Sequence, residues 1–385
     1  MKLMKLNEKG IAHYLVAAVT VLAVAAVGTY VLTQTHAETP SSVESSQAPA
    51  NPSILYNSGT TAKNDYIYTA TSTGSIANTK LLGQSAIWGP TGSKVFYVNN
   101  AQSAVYSAGS GGNGIPNLVT KASANKNEAI ADIDWSSSAN KLAVSENNGF
   151  DSGKPYSLYI MNKGGGGAKN VIATTQNFSN ITSLSWSPNG NTLLFEGSLL
   201  SSDTTYGIYS MNADGSGLTE VAVMGAIGGG NPWSPNSSQI TYSAPSSSNS
   251  NVTDLVTANA NGSNPKTIAS CTTNTSNIDT CFGPSWSPNG QDIAYYLYSG
   301  HQNTYTINFV QVSNDSSTSV NTGAMGQPFV WSPDSSEIAV EGVSATSPEL
   351  EVINVSSLAK TPITTVSNAP PSITNSLAWG TSDTD

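Results

Sequence analysis

The chain of 385 residues carries a formal net charge of −10 at pH 7, and all 14 of its basic residues are lysine. An acidic surface without arginine argues against nucleic acid as a partner. Only 10% of the residues are charged, whereas Ser, Thr, Asn and Gly abound, a composition that disfavours a helical protein and suits short strands joined by polar turns.

Lys2, Lys5 and Lys9 precede Ile11 to Leu32, a stretch without formal charge apart from His13. It is long enough to cross a bilayer as a helix, and the lysines would hold the segment before it in the cytoplasm. The expected order is a cytoplasmic segment at 1–10, a transmembrane anchor at 11–33 and an exported remainder. A cleaved secretory signal is the alternative, because Thr35-His36-Ala37 ends in a small residue, although the apolar run exceeds the ~7–15 residues usual for a signal core. Residues 34–52 are rich in Ser and Pro and lack apolar periodicity, so they read as a flexible linker.

The domain proper is expected at 53–385. Ile54-Leu55-Tyr56, Tyr66-Ile67-Tyr68 and Lys80-Leu81-Leu82 are strand-like and precede any tryptophan, as in a repeat that lacks its opening strand. From Trp88 onward the chain repeats itself. Trp-Ser-Pro-Asn or Trp-Ser-Pro-Asp occurs at Trp186, Trp233, Trp286 and Trp331, with looser versions at Trp88, Trp135 and Trp379, so all seven tryptophans share one register, 45 to 53 residues apart. Proline presets the first central position of a tight turn, and Asn-Gly or Asp accepts positive φ, so the chain reverses after each tryptophan. Apolar side chains follow seven and nine positions later, as Leu193 and Phe195 do after Trp186. A spacing of two marks one face of a strand, and each unit therefore opens with a β-hairpin. A third strand such as Ile208 to Asn212, a Gly-rich turn at Ala213 to Gly217 and a fourth strand at Leu218 to Val221 complete the unit.

Four short strands in a repeat of this length form a β-propeller blade. The sequence resembles the TolB-like, PD40 (WD40-like) propeller repeat, through Trp186-Ser187-Pro188-Asn189-Gly190 and through Ile208-Tyr209-Ser210-Met211-Asn212 with Asp214-Gly215. The resemblance covers 53–385 and implies an all-β propeller. The tryptophan count gives seven blades rather than the six of TolB. Only a linker stands where TolB has an α/β domain, so the role of TolB in its envelope complex does not carry over. The sequence ends at Asp385, before the apolar pair that would follow Trp379, and Ile54 and Tyr56 can supply that pair. N- and C-terminal strands are thus expected to close the ring together.

Residues for catalysis are scarce. His301 is the only histidine beyond the leader and its flank, and no Gly-x-Ser-x-Gly, His-Glu-x-x-His or phosphate-loop motif occurs, so no catalytic or cofactor-binding residue and no cofactor is assigned. Glu128, Asp132 and Asp134 lead into Trp135 on an expected innermost strand. Clustered carboxylates suit a hard cation such as calcium, and solvated surface charge is the other reading. Cys271 and Cys281 lie ten residues apart in a polar connection, and an exported domain would pair them as a disulfide, two free thiols being the alternative.

The connections Asn147 to Tyr156, Ser246 to Asn251, Cys271 to Cys281 and Gly300 to Asn303 are polar, long and unlike one another. A rigid scaffold that presents such loops suits recognition. The expectation is a membrane-anchored propeller in the periplasm or at the cell surface that binds an envelope or extracellular protein, or a glycan. The alternative is a propeller enzyme, a lyase or hydrolase acting on extracellular or cell-wall polysaccharide.

Overall fold

In the computed structural model the described residues are 53–58, 65–89, 92–112, 114–122, 128–147, 155–172, 177–199, 206–228, 230–249, 251–272, 279–300, 302–322, 329–343, 348–363 and 373–380. The anchor and linker expected at 1–52 and the single late histidine, His301, lie outside them. Among the described residues no helix is long and apolar enough to cross a membrane.

The described strands form seven sheets. Blade 1 consists of Ile373–Trp379, Ile54–Ser58, Tyr66–Ala70 and Ile76–Leu82 in spatial order, and blade 2 of Gln84–Trp88, Lys94–Val98, Ala104–Gly109 and Asn117–Lys121. Blade 3 comprises Ala129–Ser136, Lys141–Asn147, Ser157–Asn162 and Lys169–Asn170, and blade 4 Phe178–Trp186, Thr192–Leu199, Tyr206–Asn212 and Thr219–Val223. Blade 5 has Gln239–Pro245, Val252–Asn259 and Lys266–Thr272, its tryptophan segment reduced to the bridges Ala226↔Ser243 and Trp233↔Ile240. Blade 6 contains Asp279–Trp286, Asp292–Ser299, Thr304–Gln311 and Ser317–Asn321, and blade 7 Phe329–Trp331, Glu337–Val343, Pro348–Asn354 and Lys360–Ile363.

All pairings within the blades are antiparallel. The tryptophan strands of blades 7, 1, 2, 3 and 4 lie side by side in turn. The Trp286 N–H of blade 6 donates to Asn231 O of blade 5 at 2.9 Å and the Trp331 indole N–H of blade 7 to Ser285 O of blade 6 at 3.2 Å, so these segments form the inner wall of a ring. Ring closure is as expected. Ile54 pairs with Trp379, Leu55 with Ala378 and Tyr56 with Leu377, and the Gly380 N–H donates to Ser53 O at 2.7 Å. Both chain ends of the propeller are thereby hydrogen-bonded into one sheet, which removes the exposed edges an open ring would carry.

The repeated turn has a definite hydrogen-bond pattern. After Trp186, the Gly190 N–H donates to Ser187 O at 2.8 Å, the Thr192 N–H to Ser187 Oγ at 3.0 Å and the Asn191 N–H to Asn189 Oδ1 at 3.0 Å. Ser187 and Asn189 thus do the local bonding that favours these residue types in turns. Gly190 has φ of 71°, whereas Ser237 and Ser335 occupy the matching places at 61° and 64°. A reason for serine there is visible: Ser237 Oγ accepts the Asn189 N–H and Ser335 Oγ the Asn289 N–H, each at 3.0 Å from the blade before.

The core lies between blades, and the tryptophans stand in it. Trp186 packs with Ala143, Leu158 and Ile160 of blade 3, and Trp233 with Leu194 and Ile208 of blade 4. Trp331 meets Phe309 of blade 6 at 5.8 Å between ring centroids, and Trp135 meets Phe96 of blade 2 at 5.3 Å. Trp379 joins Ala339, Leu350 and Val352 of blade 7. Each indole therefore covers the preceding blade, which explains why one large aromatic recurs once per unit.

Candidate functional site

Asp132 and Asp134 lie half-buried on the innermost strand of blade 3, as expected, and their carboxylates are taken up by backbone N–H groups rather than by a ligand cluster. Asp132 Oδ1 accepts the Ile133 N–H and Oδ2 the Leu184 N–H, both at 2.8 Å. Asp134 Oδ1 accepts the Trp135 N–H at 2.9 Å and Oδ2 the Trp186 N–H at 2.7 Å. Leu184 and Trp186 belong to the inner strand of blade 4, so the two carboxylates staple neighbouring blades in parallel register. Among the described residues no three His, Cys, Asp or Glu side chains gather as a metal would require. Glu128 is half-buried just before the same strand.

The staples continue into blade 5. Glu196, buried on the second strand of blade 4, accepts the Ile227 N–H at 2.6 Å and the Gly228 N–H at 2.9 Å through Oε1. Its other oxygen accepts the Tyr206 hydroxyl. Glu196 was not singled out by sequence. The signal available was a carboxylate directly after the apolar run Leu193-Leu194-Phe195.

Burial sets the charge behaviour of this row. Asp132 is pushed up to about 6 by loss of hydration and by the Glu196 charge, against the opposing pull of the Leu184 and Ile133 N–H groups. Asp134 is pushed up to about 7 by burial and by the Asp132 charge, opposed by Trp186 and Trp135 N–H. Burial and Glu196 raise Tyr206 as well. Asp132 and Asp134 thus take up protons near neutrality while they hold blades 3 and 4 together.

The antiparallel order of the blades sorts the connections onto two ends of the ring. One end carries the Trp-Ser-Pro turns and the Gly-rich turns. The strand ends flanking Asn147 to Tyr156, Ser246 to Asn251, Cys271 to Cys281 and Gly300 to Asn303 all lie at the other. Among the described loop residues, Ser246 accepts and donates little beyond its own hairpin: its N–H reaches Val252 O at 2.8 Å, and Val252 N–H returns to Asn249 O at 2.9 Å. Tyr298 and Tyr305 bring their rings to 4.7 Å beside the Gly300 to Asn303 connection, and the Tyr298 hydroxyl donates to Asn303 Oδ1 at 3.2 Å.

Cys271, on the outer strand of blade 5, and Cys281, on the inner strand of blade 6, form a disulfide with Cα atoms 5.8 Å apart. The expected bridge is present, and in closing the connection between its two cysteines it fastens blade 5 to blade 6.

No family model matches the chain, and no curated protein does. Solved structures share its fold. TolB from Acinetobacter baumannii is 14% identical with a TM-score of 0.50, over 76% of this chain and 67% of that one. An oligogalacturonate lyase from Vibrio parahaemolyticus is 12% identical with a TM-score of 0.53, over 81% and 86%. A puromycin hydrolase is 11% identical with a TM-score of 0.59, over 83% of this chain but only 53% of the hydrolase.

The sheets and their closure define a seven-bladed β-propeller. Its fold is similar to that of TolB from Acinetobacter baumannii, and equally to that of the lyase and the hydrolase.

Proposed function

We propose that the chain is a membrane-anchored, extracytoplasmic propeller that recognises a protein of the cell envelope or its surroundings through the long-loop end of the ring. The observation that carries this reading is the sorting of the four dissimilar connections onto one end while the short repeated turns occupy the other. A rigid ring whose four long, dissimilar connections lie at one end suits presentation of loops. Export is supported by the apolar stretch Ile11 to Leu32 and by the Cys271–Cys281 disulfide, a bond that persists in oxidising compartments.

Loop replacement tests the proposal in the full chain. Short Asn-Gly turns in place of Ser246 to Asn251 or Gly300 to Asn303 should leave the thermal midpoint nearly unchanged and abolish capture of an envelope partner. Retained capture by every replacement would reject the recognition end. Turnover of a polysaccharide by the unmodified protein would put the enzyme reading in its place.

A further inference from the structure

The contact between blades 5 and 6 differs from its neighbours. Between blades 3 and 4 the Gly-rich turn lies flat on the outer strand before it: a Cβ added at Gly215, at φ 85°, would stand 2.6 Å from the side chain of Val171. In blade 6 the corresponding turn runs from Gln311 to Ser316 and is one residue longer, with the Asp315 N–H bonded to Gln311 O at 2.9 Å in place of the Gly215 N–H to Asn212 O at 2.8 Å. Asp315 holds the left-handed conformation, with φ of 56°.

Blade 7 has the same longer turn. There the Leu358 N–H donates to Asn354 O at 2.8 Å, Leu358 has φ of 57°, and its side chain packs with Val320 and Val355 into the core between blades 6 and 7. Asp315 thus occupies the place of Leu358. A carboxylate does not fill an apolar seat, and between blades 5 and 6 a cavity of about 150 Å³ remains, with Ile268, Trp286, Ile293 and Val310 among its walls.

Two opposite charges stand at its mouth. Lys266 Nζ lies 3.0 Å from Asp315 Oδ1 and 2.8 Å from Oδ2, with side chains 59% and 42% exposed. An exposed ion pair contributes little to stability, while the cleft's walls are mostly apolar, with Gln239 and Thr257 the polar residues beside the ion pair, and mostly apolar walls favour a small apolar group over water.

We propose that this cleft is a binding site for a small zwitterion with an apolar side chain, namely an aliphatic or aromatic α-amino acid. The side chain fills the seat that Leu358 fills one blade on. Lys266 receives the carboxylate and Asp315 the ammonium, so both charges stay paired when the ligand enters. A ligand with only one charge would leave one of them without a partner, and a ligand with no side chain would leave the cavity empty.

The test is isothermal titration of the full-length chain with L-leucine and L-phenylalanine, with glycine, isocaproate and isoamylamine as comparators. At least one of the two amino acids should bind saturably, at about the millimolar strength that ligands of this size reach. Glycine should not bind, and isocaproate and isoamylamine should bind at least ~10-fold more weakly. Asp315→Leu, which copies Leu358, should abolish the binding and raise the thermal midpoint, and Lys266→Met, at an exposed position, should weaken it without changing the fold. The proposal fails if neither amino acid binds, if Asp315→Leu still binds, or if isocaproate binds as well as leucine.

Discussion

Acidification from pH 8 to 5 should stabilise this propeller, over a range in which ordinary carboxylates stay ionised and change stability little. Asp134 and Asp132 are raised to about 7 and about 6 in the folded protein, against 3.8 for each when unfolded. A folded-state value above the unfolded one means that the native ring binds more protons, so the stabilisation is complete below the unfolded value and is lost as pH rises through 6 and 7. Each unit of separation is worth about 1.4 kcal/mol. From pH 8 to 5 the window covers about two units for Asp134 and about one for Asp132, and their mutual repulsion falls as the first protonates, which leaves about 2–4 kcal/mol. At roughly 2 °C per kcal/mol for a domain of this size, the thermal midpoint should rise by about 4–8 °C. Calorimetry at constant ionic strength measures it, and Asp134→Asn should remove the larger part of the slope. A midpoint that falls towards pH 5, or a slope unchanged in Asp134→Asn, would show that these carboxylates are not buried between blades as described.

Three further outcomes follow from the packing. Trp186→Ala should cost about 3–5 kcal/mol, because the indole is buried between blades 3 and 4; red-shifted emission from a variant retaining only Trp186 would contradict that placement. Removal of residues 373–385 should abolish the single cooperative unfolding transition, since it takes away the strand that pairs with Ile54–Ser58; an unchanged melting curve would refute closure. Reduction of Cys271–Cys281 should lower stability by about 2–3 kcal/mol, and both thiols should resist alkylation until a reductant is added, as their pairing requires.

Much of the fold was legible because its determinants are local. The Trp-Ser-Pro-Asn turns announce themselves through proline and through side chains that bond within five residues, as Ser187 Oγ does with the Thr192 N–H. Closure could also be read, from a last repeat that stops after its tryptophan and a first that lacks one. The role of Asp132 and Asp134 could not. Their partners Leu184 and Trp186 are 52 residues away, and nothing in a repeat pattern says which backbone N–H groups a neighbouring blade leaves open. Solvated surface charge was one expectation for these carboxylates, and the structure shows them half-buried, each oxygen accepting a backbone N–H of its own strand or of the next blade. Glu196 escaped notice for the same reason, its acceptors' partners lying at Ile227 and Gly228 in the next blade. Asp315 was not singled out by sequence, and only its structural equivalence to Leu358 gives it meaning.

The division of the ring into a recognising end and a structural end is tested most directly by hydrogen exchange on the full chain with and without its captured partner. Protection should appear in peptides covering Asn147 to Tyr156, Ser246 to Asn251, Cys271 to Cys281 and Gly300 to Asn303, and the peptides covering Trp186 to Gly190, Trp233 to Asn236, Trp286 to Gly290 and Trp331 to Asp334 should exchange as before. Protection confined to those tryptophan turns would contradict the account.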